Sequence, residues 1–233
     1  MAWQVFATLV GMSRRTIQLD TSVHQWLMTH TLREVPIMRE LRDAMEGHPE
    51  GEMQTSPEQV QLLGVLLKAM QARRVIEVGV FTGYSAMGMA MALPDDGVVV
   101  ACDLDPDHMA VAQSWWDRGG VSDRIIPRVG PASESLAAMI EAGEAGTYDF
   151  IYVDADKESY PSYYEQGLEL LRPGGLLTFD NMLRGGRVAD PKVNDESTVA
   201  TRELAARLLE DDRVEYSLNP IGDGLAIAML KHD

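Results

Sequence analysis

Two hydrophobic periodicities divide this chain. Before about Met70, apolar residues recur at helical spacing. Val23, Trp26 and Leu27 come first, then Ile37, Met38, Leu41 and Met45 beyond a break at Pro36. Two short helices are expected across residues 21–46. A third opens at Thr55-Ser56-Pro57-Glu58, which reads as a hydroxyl cap, a proline at the first helical position and an acid in the first turn. Its apolar stripe runs through Leu62, Leu63, Leu66, Leu67 and Met70. From Arg74 the pattern changes. Short continuous apolar runs at 75–80, 98–101, 150–153 and 175–179 alternate with segments of helical period such as 84–93 and 161–171. Such runs read as buried parallel strands in βα units, with 124–129 a weaker strand of the same series. Residues 213–218, a Pro-Ile-Gly-Asp-Gly turn and residues 225–230 read as a hairpin. The expected fold is α/β, a doubly wound, mostly parallel seven-stranded sheet with a C-terminal antiparallel hairpin. Residues 1–54 form an N-terminal helical extension and 55–233 the α/β core of a single domain.

Composition narrows the function. The 233 residues carry 20 basic and 36 acidic side chains, a formal charge of −16. That field repels phosphate backbones and anionic lipid, arguing against nucleic-acid and membrane-surface roles. The single cysteine, Cys102, excludes an internal disulfide and a cysteine-built metal site, and fits a reducing cytoplasm. Residues 1–12 are apolar, but Arg14 and Arg15 follow rather than precede them, which fits neither a signal peptide nor a span. A loosely docked tail is expected there, with Met12 an alternative start.

The candidate chemistry lies at strand ends. Four runs carry an acid at or beside their carboxyl end: Glu77, Asp103, Asp154 and Asp180. In an open α/β sheet that edge is where ligands bind. Single acids there are often helix caps, but four together would repel unless cations or donors sit among them. The run from Glu77 to Ser85 (EVGVFTGYS) reads as strand, glycine turn and helix start, with Gly79 and Gly83 permitting close backbone approach to a ligand. The third glycine of the dinucleotide fingerprint is missing. Asp103, ending the next strand, is placed to accept both hydroxyls of a ribose. Asp154, Asp180 and Asn181 offer two carboxylates and an amide oxygen with no His or Cys nearby, a set suited to Mg²⁺ or Ca²⁺, with water or substrate oxygens completing the shell.

At these residues the sequence resembles the cation-dependent class I O-methyltransferases that use S-adenosylmethionine (SAM), of the caffeoyl-CoA and catechol type. The resemblance runs from about Gln18 to Lys231 and is densest from Tyr148 to Asn181, including YDFIYVDADK, RPGG and Asp180-Asn181. It implies a Rossmann-like methyltransferase fold and a homodimer acting on small aromatics with adjacent hydroxyls. It further implies that Glu77, Gly79, Val80, Ser85, Asp103 and Ala132 line the SAM site, with Thr55 and Asp156 at its edge. Asp154, Asp180 and Asn181 correspond to ligands of Mg²⁺ (or Ca²⁺ or Mn²⁺), and Lys157 to the general base. A chelated divalent ion lowers the hydroxyl pKa, and the phenolate attacks the sulfonium methyl in line.

The chain departs from the family pattern at Arg184, where tryptophan is frequent, and at Gly185, where plant enzymes carry a polar residue. Gly185 is expected to open space beside the ion, and Arg184 to pair an acidic group on the acceptor or to point into solvent. Arg15 is a further candidate acceptor contact. Cys102 reads as core, Trp115-Trp116 as a helical pair with one ring packed, and Tyr160, Tyr163 and Tyr164 as packing or dimer surface. An ordinary pairing of Lys157 with Asp156 or Glu158 is the alternative to its role as base. The rival functions are a nicotinamide-dependent reductase, an RNA methyltransferase and a catalytically silent SAM-binding dimeric scaffold.

Overall fold

The computed structural model describes residues 16–232. Arg15 and the apolar first twelve residues lie outside the described residues. The described residues divide into two compact units, one ending at Arg33 and one beginning at Glu34. In the first, helix α1 (Thr21–Thr31) is capped by Asp20, whose carboxylate accepts from the Val23 N–H at 2.9 Å. It buries none of its residues, and its Trp26 and His30 rings stack 4.4 Å apart.

The second unit opens with α2 (Pro36–Ala44) and α3 (Pro57–Ala69), each starting on proline, whose fixed φ and missing N–H suit a first turn. The hydroxyl cap expected of α3 is not made. Ser56 occupies the cap position without a side-chain capping bond, and its Oγ is buried without a partner. The Thr55 hydroxyl turns instead to the Tyr152 hydroxyl, 3.2 Å away. Beyond α3 come β1 (Arg74–Val78), α4 (Tyr84–Ala92), β2 (Val98–Asp103), α5 (Pro106–Gly119) and β3 (Ile125–Val129). Then follow α6 (Ala132–Glu141), β4 (Tyr148–Val153), α7 (Tyr160–Leu170), β5 (Leu171–Phe179), α8 (Glu196–Glu210), β6 (Val214–Asn219) and β7 (Leu225–Leu230). The β5 strand starts before its apolar run, because Leu171 already pairs Tyr148 across a register shift.

The sheet order is β3-β2-β1-β4-β5-β7-β6, parallel through β5, with β7 antiparallel to both β5 and β6. The seven-stranded doubly wound sheet and its closing hairpin are as the sequence predicts. Side chains alternate between two cores. Val75, Val99, Phe150 and Tyr152 face α2–α5, while Ile76, Val78, Ile151 and Val153 face α6–α8. Burial on both faces is why these strands read as apolar runs rather than as alternation. Among the described residues, no helix is long and apolar enough to cross a membrane.

Candidate active site

From β1 the chain steps outward to β2 and β3, then returns to lay β4 on the other side of β1. That reversal is a topological switch point, where the loops after β1 and β4 leave toward opposite faces and open a crevice. A cleft of about 840 Å³ lies there, within the range of small-molecule sites. Thr55, Gly79, Val80, Ser85, Asp103, Ala132, Asp154, Asp156, Lys157, Asp180, Asn181 and Arg184 all line it. Glu77 and Gly185 do not.

On the β1–β2 side, the glycine turn is shaped by the protein itself. Gly79 has φ +88°, and a Cβ there would run into the Asp154 carbonyl of the adjoining strand. A Cβ on Gly83 would strike the Trp116 indole, whose Nε1 donates to the Gly83 carbonyl at 3.0 Å. The two glycines therefore clear space for neighbouring backbone and a buried ring, and Gly79 also lines the cleft. Trp116 is the packed ring of its pair. Asp103 anchors the same turn. Its Oδ2 accepts from the N–H groups of Val80 (2.7 Å) and Phe81 (2.9 Å), and its Oδ1 from Asp105 (2.9 Å). Three of about four acceptor positions are thus filled, which leaves roughly one, rather than two, for a ligand hydroxyl.

Glu77 lies sealed below this turn, opposite Ala101 and Tyr152 in register. It is fully buried, and neither carboxyl oxygen has a hydrogen-bond partner. Burial pushes its pKa well above the ordinary 4.5, the nearby Ser85 hydroxyl opposes this, and the charges of Asp154 and Asp103 add to it.

On the β4–β5 side the acids are heavily supported. Asp180 Oδ2 accepts from Gln59 Nε2 and from the Tyr152 hydroxyl, each at 2.7 Å, while Oδ1 accepts from the Asn181 N–H at 2.6 Å. The Tyr160 hydroxyl donates to the Asp180 carbonyl at 2.9 Å. Burial, then the neighbouring charge of Asp154, pushes the Asp180 carboxyl up to about 6. Asn181 takes φ +54°, a strained value for a residue with a side chain. Lys157 is almost wholly buried. Its Nζ donates to Asp154 Oδ1 (3.2 Å) and the Ala155 carbonyl (2.9 Å), so it pairs neither Asp156 nor Glu158. Tyr163 donates to Asp156 at 2.8 Å, and all three tyrosines of α7 are buried in the unit rather than on a surface.

Sequence reasoning missed Gln59 and Tyr152. A signal existed for Gln59, which precedes Leu63 and Leu67 by four and eight residues and so is a polar residue on a buried stripe. Among the described residues, no three His, Cys, Asp or Glu side chains group to hold a metal. The candidate set here is two carboxylates and an amide, all oxygen donors of the kind hard cations take.

The far wall is the segment after β5, latched to the β6–β7 turn. Met182 and Leu183 donate backbone N–H bonds to the carbonyls of Gly224 (2.9 Å) and Asp223 (2.8 Å), and the Gly185 N–H donates to Asp223 Oδ1 at 2.6 Å. A Cβ on Gly185 would meet nothing within 4 Å, so this glycine is not opening space beside the acids. It is exposed and does not line the cleft, and its φ of +60° is what favours glycine. Arg184 lines the cleft with its Nη2 on Ser197 Oγ at 3.0 Å rather than extending into solvent. Cys102 is a core residue whose thiol burial pushes up to about 12.

Residues 28–231 match the family profile described as O-methyltransferase. The chain belongs to that family, in its caffeoyl-CoA and catechol type, and is an O-methyltransferase of the SAM-dependent class rather than a nicotinamide-dependent reductase. Over 209 residues it is 40% identical to the mouse (Mus musculus) catechol O-methyltransferase domain-containing protein 1, covering 90% of this chain and 80% of that protein. It is 39% identical over 215 residues to caffeoyl-CoA O-methyltransferase 1 of Eucalyptus globulus, covering 90% and 85%. The Bacillus cereus O-methyltransferase solved in complex with SAH superposes with a TM-score of 0.83 at 29% identity, covering 91% of this chain and 98% of that one.

Proposed function

We propose that this enzyme transfers a methyl group from SAM to one hydroxyl of a vicinal-dihydroxy aromatic, with a divalent cation, Mg²⁺ first, held by Asp154, Asp180 and Asn181. The observation that carries the reading is the gathering of two acids and an amide, all oxygen donors, beside a buried lysine in the same cleft as the glycine turn. Two such carboxylates repel, and a cation relieves that repulsion. SAM supplies an electrophilic sulfonium methyl, and the cation supplies a charge that favours phenolate over phenol.

The remaining work falls to the chain. Gly79, Val80, Asp103 and Ala132, with Ser85, Thr55 and Asp156, border the space for SAM, and Glu77 lies beneath it. Asp103 holds a backbone N–H pair in place and keeps an acceptor position for a ribose hydroxyl. Gln59 and Tyr152 fix one oxygen of Asp180. Lys157 accepts the proton of the acceptor hydroxyl at Nζ, and its present partner Asp154 is the carboxylate that a cation would share. The acceptor oxygen then bonds the methyl carbon as the S–C electron pair leaves with the thioether product. Alignment in a walled cleft supplies much of the acceleration.

A homodimer in the cytoplasm accompanies this reading, checked by solution scattering. The direct test is a panel of catechols assayed with labelled SAM. Turnover that vanishes in EDTA and returns with Mg²⁺ is expected. Full turnover in chelator would remove the ion from the mechanism, and failure of every catechol would remove the acceptor class.

A further inference from the structure

Six acids line the cleft: Glu52, Asp103, Asp154, Asp156, Asp180 and Asp223. Against them stand three cationic or titratable bases, Lys157, His108 and Arg184. Lys157 is committed to Asp154, and His108 lies beside Glu50 and Asp105. Among the described residues, Arg184 has no carboxylate partner. Its Nη2 rests on the Ser197 hydroxyl, whose own proton goes to Asp195 Oδ1 at 2.7 Å, and its Nε is buried without a hydrogen-bond partner. A guanidinium offers five donors in a fork that matches a carboxylate, and an unmet buried donor is costly.

The backbone delivering this side chain is also unusual. Arg184 takes φ +51°, in the left-handed region that side chains disfavour. The residues on either side are pinned, Leu183 to the Asp223 carbonyl and Gly185 to the Asp223 carboxylate. A strained residue held from both sides at a cleft wall is the form in which proteins fix a functional group.

We infer that Arg184 is the receptor for a carboxylate borne by the acceptor, so that the preferred substrate is a free dihydroxy-aromatic acid. This rests on the catechol reading above and narrows it. Charge matching also separates the acid from its coenzyme A thioester. A single unpaired guanidinium among six acids suits one carboxylate, whereas a thioester carrying several phosphates lacks the free carboxylate and brings more negative charge than this wall can meet.

The test uses the full enzyme with SAM, Mg²⁺ and three matched acceptors: 3,4-dihydroxycinnamic acid, its methyl ester and its coenzyme A thioester. The readout is the ratio of kcat/KM for acid over ester, which cancels any general loss of folded enzyme. Wild type should favour the acid by about 10-fold or more, as one charged hydrogen-bonded contact supplies. Arg184→Met should bring that ratio to about 1, chiefly through KM for the acid, while Arg184→Lys retains part of it. Calorimetric binding of the acid to the SAH-loaded protein should weaken in parallel. A ratio near 1 in wild type, a ratio unmoved by Arg184→Met, or the thioester as best acceptor would each overturn the assignment while leaving catechol methylation standing. Turnover of none of the three would overturn both together.

Discussion

Glu77 and Asp180 are both buried acids near the carboxyl edge of one sheet, yet their surroundings are opposite. Asp180 is met by three donors, one from helix α3, one from β4 and one from its own successor. Glu77 makes no hydrogen bond and has only the Ser85 hydroxyl nearby. An acid so braced keeps its position whether or not a ligand is present. A sealed acid without donors is a standing electrostatic cost, relieved by a proton or by a ligand that brings its own donors. The β4–β5 half of the cleft is therefore pre-assembled by the chain, while in the β1–β2 half, where Asp103 is braced, Glu77 is left for an occupant to complete.

The largest effect should come from cutting the braced half. Asp180→Ala is expected to lower cation affinity at least about 100-fold and to abolish metal-dependent turnover, while calorimetric SAM affinity stays within a few-fold. Parallel loss of SAM binding would show that the halves are one site. Next comes the β1–β2 half itself. Asp103→Ala releases the Val80 and Phe81 N–H groups as well as a ligand hydroxyl, so SAM should bind roughly 5- to 150-fold more weakly. Calorimetry giving an unchanged affinity would reduce Asp103 to a brace of the turn.

Smaller changes sharpen the contrast. Tyr152→Phe and Gln59→Leu each remove one donor from Asp180 and should weaken Mn²⁺ binding about 10-fold, read by paramagnetic resonance, with SAM affinity held. Glu77→Gln should do the reverse of most core substitutions and raise the melting temperature of the ligand-free protein at neutral pH by about 2–6 °C. The sign follows from the raised pKa: the folded state binds this proton more tightly than the unfolded chain. Ligand-free stability therefore falls as pH rises from about 4.5 toward the folded value. A lower melting temperature in Glu77→Gln would mean the carboxylate is not a liability.

The braced half was the harder to read from sequence. Each strand and its terminal acid were legible because periodicity and a trailing Asp or Glu are local signals. Gln59 reaches Asp180 across 121 positions, and no local pattern encodes that distance. Tyr152 sits in an apolar strand run, where an aromatic reads as filler. Helix-start grammar likewise located α3 correctly but misassigned its hydroxyls, since Thr55 finds a better partner in Tyr152 than in its own helix. Gly185 misled for a related reason, because a missing side chain reads equally as space or as backbone conformation. Only the +60° φ and the empty surroundings separate them.

Cys102 gives the molecule a clock. The chain's single thiol is wholly buried at the end of β2, one residue before Asp103, and its raised pKa keeps it protonated and inert at neutral pH. A thiol reagent can reach it only when that sheet edge opens, so the labelling rate of the native protein reports the frequency of such excursions. An occupant that completes the β1–β2 half should slow that reaction in proportion to its saturation, whereas one confined to the β4–β5 half should leave the pace of labelling nearly as it was.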